Sequence, residues 1–390
     1  MHVLMISLDA SLLGDPHGNT VQRHIEYARR IGDLSIVTYN PAAQPKTVQH
    51  FADNFTVYPT NTRPVLFPWV AYRLAARLVR EQSVDVVTTQ DPFATGLVGV
   101  LLKWRFGVAL DVQSHSHFFE NPDWIAERPL RNRFLYRLAG WIIKRADTNR
   151  VLSEREKAIY VKRGVPADRI AVLTTPTHVD VFVPPRPTAD LAALRESLGI
   201  TADAPVLVWV GFPAEFKHID LLLEAYQRVK AARPAARLVM VGNFATRPDF
   251  VRRATAAGVI FAGRVDHDDL PLYYQVADVY LHSSRYEGVP KVLIEALAAG
   301  TPVVSTDHLG ADVVVWNGET GLLTDHTPEA LAAAAIMLID DPARARAMGA
   351  AGQQDVVERF DYERQLDRIV ESFRVTLRVK RSKLDADKRR

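Results

Sequence analysis

The chain has 390 residues, 48% of them apolar and 24% charged, which is too many for one ordinary hydrophobic core and points to a globular protein of two domains. It contains no cysteine, so a disulfide framework, a thiol nucleophile and a thiolate zinc site are excluded, and this absence fits the cytosol. The net charge of +3 is unevenly spread, with +5 on residues 1–180, −8 on 181–373 and +6 on 374–390, a polarity compatible with an anionic membrane surface or acidic partner molecule meeting one side.

Met1–Leu8 is apolar over too short a stretch, and lacks the basic start, for a signal peptide; it reads as a buried first strand. No run approaches the roughly 18 apolar residues that a membrane-spanning helix requires. Short β-branched runs then alternate with helical-period segments. Strands are expected near 3–8, 34–38, 84–88, 108–113 and 147–152, with helices such as 20–31 and 68–81 between some of them, the pattern of one doubly wound domain. Gly18, at the head of the first helix, would let a ligand approach the backbone closely, and a simple turn explains the same glycine. The strand ending in Leu110–Phe119 carries His115 and His117, each of which by itself reads as a surface or capping residue. Two helices, 68–80 and 130–145, mix arginines with aromatics. Packing against the sheet accounts for their apolar stripe, and contact with an anionic membrane is the alternative.

Three prolines in Val183–Thr188 mark a domain boundary. Beyond it the pattern restarts, with strands expected at 206–210, 237–241, 259–261, 278–282 and 302–305 and helices such as 219–232. Gly211, Gly242 and Gly263 each follow a strand, at the carboxyl edge where open α/β sheets bind ligands. Asp266–Asp269 reads as a helix start whose acidic side chains cap backbone N–H groups, in preference to a metal site. The most informative stretch is Ser283–Ser305. A loop carries Glu287 and Gly288, Pro290 opens a helix, Glu295 lies about a turn and a half into it, and Gly300 is placed to cap its end. Two carboxylates flanking the N–H groups of a first helical turn make an anion site suited to a diphosphate, with Glu295 able to hold a ribose and Glu287 a sugar. From Thr327 the pattern is helical with a break at Pro342, and Tyr362–Val379 is amphipathic.

Glu287 and Glu295, separated by seven residues and followed by Ala296–Val304, resemble the E-x7-E signature of the retaining glycosyltransferases of group 1. That family has the GT-B fold, two Rossmann-like doubly wound parallel-sheet α/β domains facing a central cleft, and the resemblance runs over residues 2–325. It implies an acceptor-binding domain at 1–182, a donor-binding domain at 188–360, a helix at 361–380 crossing back to the first domain, and a disordered basic tail at 381–390. The implied activity moves a sugar from a nucleotide diphosphate sugar to a hydroxyl acceptor with retained configuration, in glycolipid, polysaccharide or other glycoconjugate synthesis. Carried over by residue, Glu287 and His115 orient the sugar, and Lys217 offsets charge on the leaving diphosphate. Gly18, Val265, Pro290, Lys291, Val292 and Glu295 complete the donor contacts, Val265 through its backbone at the base. His115 fits the family position better than His117 because it follows the strand directly. The chain departs from the pattern in three places. Phe212 stands where the family has the arginine of G-R-x4-K-G, His218 replaces that motif's last glycine, and Val313 replaces a glutamate. Phosphate neutralisation then falls to Lys217, the helix start, Lys291 or Arg264. The resemblance implies no cofactor, no bound metal, no nucleic-acid partner and a cytoplasmic enzyme, and leaves membrane contact and oligomeric state open. Two alternatives stand beside it: a nucleotide-sugar epimerase of the same fold, and a non-catalytic two-domain sugar-binding protein.

Overall fold

Each half of the chain builds its own sheet. The computed structural model describes residues 1–388 and divides into unit 1, residues 1–175 with the chain from Glu363 onward, and unit 2, Pro176–Tyr362. In unit 1 the strands are β1 (His2–Ser7), β2 (Asp33–Thr38), β3 (Gln49–Ala52), β4 (Phe55–Pro59), β5 (Val86–Thr89), β6 (Ala109–Gln113), β7 (Thr148–Val151) and β8 (Ile170–Val172), in spatial order β3-β4-β2-β1-β5-β6-β7-β8. All neighbours are parallel except β3 and β4, an antiparallel pair at one edge. Neither these two strands nor β8 stood out in the sequence. β3 is half-exposed with no apolar run, and β8 is three residues long, so neither carries the buried β-branched signature of a central strand.

Unit 2 contains β9 (Val206–Val210), β10 (Arg237–Val241), β11 (Ile260–Gly263), β12 (Val279–His282), β13 (Val303–Thr306) and β14 (Gly321–Thr324), all parallel, in the order β11-β10-β9-β12-β13-β14. Every residue of β9 is buried, and successive side chains alternate between two cores. Leu207 and Trp209 pack on one face with the helix Ile219–Ala232, while Val206, Val208 and Val210 pack on the other with the helix Lys291–Ala298. The strand order reverses between β9 and β12, which opens a crevice at their carboxyl ends. The corresponding reversal in unit 1 lies between β1 and β5.

The boundary between units falls at Thr175, ahead of the proline cluster, and residues 176–187 belong to unit 2. Val179 and Phe182 explain this, since both are buried in a unit 2 core. The last helix runs from Tyr362 to Lys388, so the expected disordered tail at 381–390 is helical as far as Lys388; Arg389 and Arg390 lie outside the described residues. Within unit 1 this helix buries Leu366, Ile369, Val370 and Phe373, and Thr376 Oγ1 lies 2.7 Å from Thr148 Oγ1. Lys383 Nζ reaches Asp147 at 2.9 Å, which anchors a stretch too polar to look ordered by itself. The arginine-rich helices Phe67–Glu81 and Pro129–Ile143 bury alanines and isoleucines but leave Trp69, Leu130 and Phe134 exposed beside Arg73, Arg77, Arg131 and Arg133. Packing therefore accounts for only part of each apolar stripe.

Candidate active site

The crevice of unit 2 is built by two loops, Gly211–His218 after β9 and Ser283–Pro290 after β12. They bring together Lys217 and Glu287, residues 70 apart in sequence, with Nζ 2.7 Å from Oε1. Two more donors reach the same oxygen: Ser284 Oγ at 2.6 Å and His282 Nε2 at 2.8 Å. A carboxylate oxygen only accepts, so Nε2 of His282 carries the proton. With Oε1 taken by three donors, Oε2 is the oxygen left to bind a ligand. Behind His282 stand Ser305, whose Oγ lies 3.1 Å from Nδ1, and His308, whose Nε2 lies 3.4 Å from it.

Burial alone would raise the pKa of Glu287, but the hydrogen bonds from His282 and Lys217 and the Lys217 charge hold it well below the usual carboxylate range. Burial pushes His282 down, and it pushes His308 down to about 3 with help from the neighbouring His282. The direction that fits both groups is a charged Glu287–Lys217 pair braced by neutral imidazoles. Glycine makes the packing of this loop feasible. Gly310 has φ +104, and a Cβ there would meet the carbonyl oxygens of Glu287 and Gly288 at 2.6 and 2.4 Å.

Lys217 is 5% exposed, and its ammonium lies 5.8 Å from the ring centre of Phe212 and 5.6 Å from that of Phe216. The phenylalanine in the arginine position thus flanks the lysine with an aromatic ring instead of adding a second charge. His218 adopts the left-handed conformation, φ 47 and ψ 47, which explains why the resembled motif has glycine there. Its ring stacks on His326, with Nδ1 2.6 Å from His326 Nε2.

The helix Lys291–Ala298 starts one residue later than expected, with Pro290 as its N-cap. Lys291 is exposed at the helix start, Val292 is half-buried, and Glu295 is 8% exposed, with Oε2 accepting from the Tyr274 hydroxyl at 2.8 Å. Burial raises the Glu295 pKa. Val265 stands two residues past β11, half-buried against the same core, and Arg264 is exposed on the rim of a cavity of about 920 Å³ that Phe244, Phe261 and Asn243 also line. The helix expected after Asp266–Asp269 is present, Leu270–Gln275, but its N-cap Asp269 makes no side-chain capping bond. The backbone of Asp266 accepts from the N–H groups of Asp269 and Leu270 instead. No group of three or more metal-ligating side chains occurs among the described residues.

Gly18 and His115 lie in unit 1, on loops after β1 and β6. Gly18 is the N-cap of the helix Asn19–Ile31, with φ −65, so its value lies in lacking a side chain and not in an unusual conformation. His115 is exposed, with Nε2 2.9 Å from Gln113 Oε1, whereas His117 is buried with Nδ1 3.7 Å from Glu156. Sequence reasoning missed His282, Ser284 and His308. The available signal was His282 itself, a polar residue closing the otherwise apolar buried strand β12.

Residues 191–355 match the family described as Glycosyl transferases group 1, and residues 25–176 match the Glycosyl transferase 4-like domain. A D-inositol 3-phosphate glycosyltransferase of Segniliparus rotundus is 32% identical over 296 residues, 73% of this chain and 65% of that protein, so the chain spans just under two thirds of that relative's length. The protein of the same description from Thermobispora bispora is 31% identical over 301 residues, 72% of this chain and 68% of its own length. The solved sucrose-phosphate synthase of Thermosynechococcus elongatus superposes with a TM-score of 0.78 over 96% of this chain and 98% of that one, at 23% identity, a likeness of fold.

Proposed function

Because the chain belongs to the group 1 glycosyltransferases, we propose that it moves a sugar from a nucleotide diphosphate sugar to an acceptor hydroxyl with retention of configuration and without a bound metal, in the cytosol. The observation that carries this reading is the Lys217–Glu287 pair at the switch point of the unit 2 sheet, beside the start of the helix Lys291–Ala298. On this reading Glu287 Oε2 takes hydroxyls of the transferred sugar, while the Lys217 charge and the helix N–H groups stabilise the departing diphosphate. Glu295 and the backbone at Val265 hold the nucleoside. Deprotonation of the acceptor is assigned to the leaving phosphate oxygen, so no second carboxylate flanking the bond is needed.

A thermal-shift screen of the full chain against UDP-, GDP- and ADP-sugars tests donor binding, since a ligand of the folded state raises its apparent stability. Product analysis of the donor that binds then decides the reaction. A glycoside of unchanged anomeric configuration supports the proposal. An inverted product or an epimerised free sugar overturns it, and binding without turnover identifies a non-catalytic sugar-binding protein.

A further inference from the structure

The loop that bears Lys217 is fastened through the residue that follows it. His218 holds the left-handed backbone of a position that the resembled motif gives to glycine, and a side chain kept there costs stability unless its contacts serve the site. Both of its ring nitrogens are engaged: Nη2 of Arg285 lies 3.3 Å from Nε2, and Nε2 of His326 lies 2.6 Å from Nδ1. A guanidinium only donates, so Nε2 of His218 accepts, and the proton of its neutral ring sits on Nδ1, where it is donated to His326. The bonds therefore run in one direction, from Arg285 to His218 to His326.

These residues come from three loops of unit 2. His218 ends the loop after β9, Arg285 lies two residues before Glu287 in the loop after β12, and His326 follows β14. The first two loops also meet at the backbone, where the Arg285 N–H donates to the Phe216 carbonyl and Ser283 Oγ to the Lys217 carbonyl, each at 2.8 Å. His326 ties them to a rigid frame. It directly precedes Thr327, whose hydroxyl caps the helix Pro328–Asp340 by accepting from the Ala330 N–H at 3.2 Å, and Leu331 and Leu338 of that helix share a core with Leu222 and Tyr226. The charged groups acting on His218 are Arg285, Asp220 and Glu224, and Asp325 adjoins His326 in the chain. Burial, and then Arg285, lower the His218 pKa against the pull of the two carboxylates. The relay needs both imidazoles neutral: a proton on Nε2 of His218 displaces Arg285, and a proton on Nε2 of His326 displaces His218.

We propose that His326, acting through His218, is a positioning residue that holds the Lys217 loop against the Glu287 loop and so sets the grip of the unit 2 crevice on a diphosphate. The identity of the ligand rests on the glycosyltransferase reading; the fastening does not. With Phe212 in the arginine position, the loop after β9 offers one ammonium where the resembled motif offers two cations. The placement of that one ammonium then decides how much phosphate charge the loop offsets.

The test is calorimetric titration of the full chain with UDP and GDP at about pH 8 and about pH 5.5, in wild type, His326→Ala and His326→Gln. Glutamine keeps an acceptor for the His218 N–H and does not titrate. At the higher pH, His326→Ala is expected to weaken binding of the preferred nucleotide about tenfold or more, and His326→Gln to restore most of it. The ratio of wild-type to His326→Ala affinity should shrink toward unity at the lower pH, a comparison in which the titration of the nucleotide itself cancels. Wild-type affinity in His326→Ala at the higher pH, a ratio that does not change with pH, or a loss that glutamine does not restore overturns the proposal. Amide exchange reads the fastening without a ligand. The Lys217 and His218 N–H groups, bonded to the Ala214 and Glu215 carbonyls at 3.1 Å each, should exchange faster in His326→Ala and at wild-type rates in His326→Gln. Unchanged exchange in His326→Ala overturns the proposal whatever the chain binds. Failure of the glycosyltransferase reading shows separately, as a wild-type chain that binds no nucleotide or nucleotide sugar while the exchange still responds to the substitution.

Discussion

Three donors on one carboxylate oxygen make Glu287 the most constrained residue of the site. Glu287→Gln retains its shape but leaves the Lys217 ammonium, 5% exposed, without a counter-charge. Transfer should fall by roughly 10²-fold or more, as when an electrostatic contact to the developing charge is lost. Stability should fall by about 3 kcal/mol, the usual cost of breaking a buried pair from one side. The double variant Glu287→Gln with Lys217→Met should regain much of the stability in urea unfolding and none of the transfer. Wild-type transfer by folded Glu287→Gln would remove the residue from the sugar contact. Charge on this carboxylate is not the titration that shapes activity near neutrality, because its pKa lies far below that range.

At the scale of one element, the helix Glu154–Lys162 carries its own pH dependence. Ser153 caps it by accepting from the Glu156 N–H at 3.0 Å, and Glu156 Oε2 reaches back to the Leu152 N–H at 3.0 Å, a variation on the capping box. Burial raises the Glu156 pKa to about 7, against the opposing bonds from Leu152 and Ser114. The native state therefore keeps a proton that the unfolded chain releases above about 4.5. Stability contributed by this group is complete below that pH and is lost as pH rises through about 7. Glu156→Gln, which cannot ionise, should gain about 3 kcal/mol relative to wild type between pH 4.5 and 8, measured by denaturant unfolding at each pH. A difference that does not change with pH would show that Glu156 is ionised in the native state.

At the scale of the molecule, the chain returns to unit 1 after completing unit 2, and its last helix fills a core it did not begin. Leu366, Ile369, Val370 and Phe373 are each at most 3% exposed, and burying four such side chains is worth roughly 6–12 kcal/mol, comparable to the whole stability of a domain. A chain ending at Tyr362 should lose hydrogen-exchange protection in β1, β6 and β7 while β9 and β12 keep theirs; protection surviving throughout would show the helix to be dispensable. Much of this architecture was legible beforehand, since β9 and β10 and the helix Ile219–Ala232 fall where the apolar periodicity put them. The loops bearing Lys217 and Glu287 were legible too, because strand ends, glycines and the E-x7-E spacing are local patterns. What the sequence by itself determined was two parallel-sheet units and the loops that bear Lys217 and Glu287. Only the tertiary structure decided that Lys217 meets Glu287, that His282 and His308 stand behind them, and that Phe212 flanks the lysine. These pairings depend on which strands lie side by side, and neighbours such as β9 and β12 are joined through some 70 residues whose periodicity records burial but not partners.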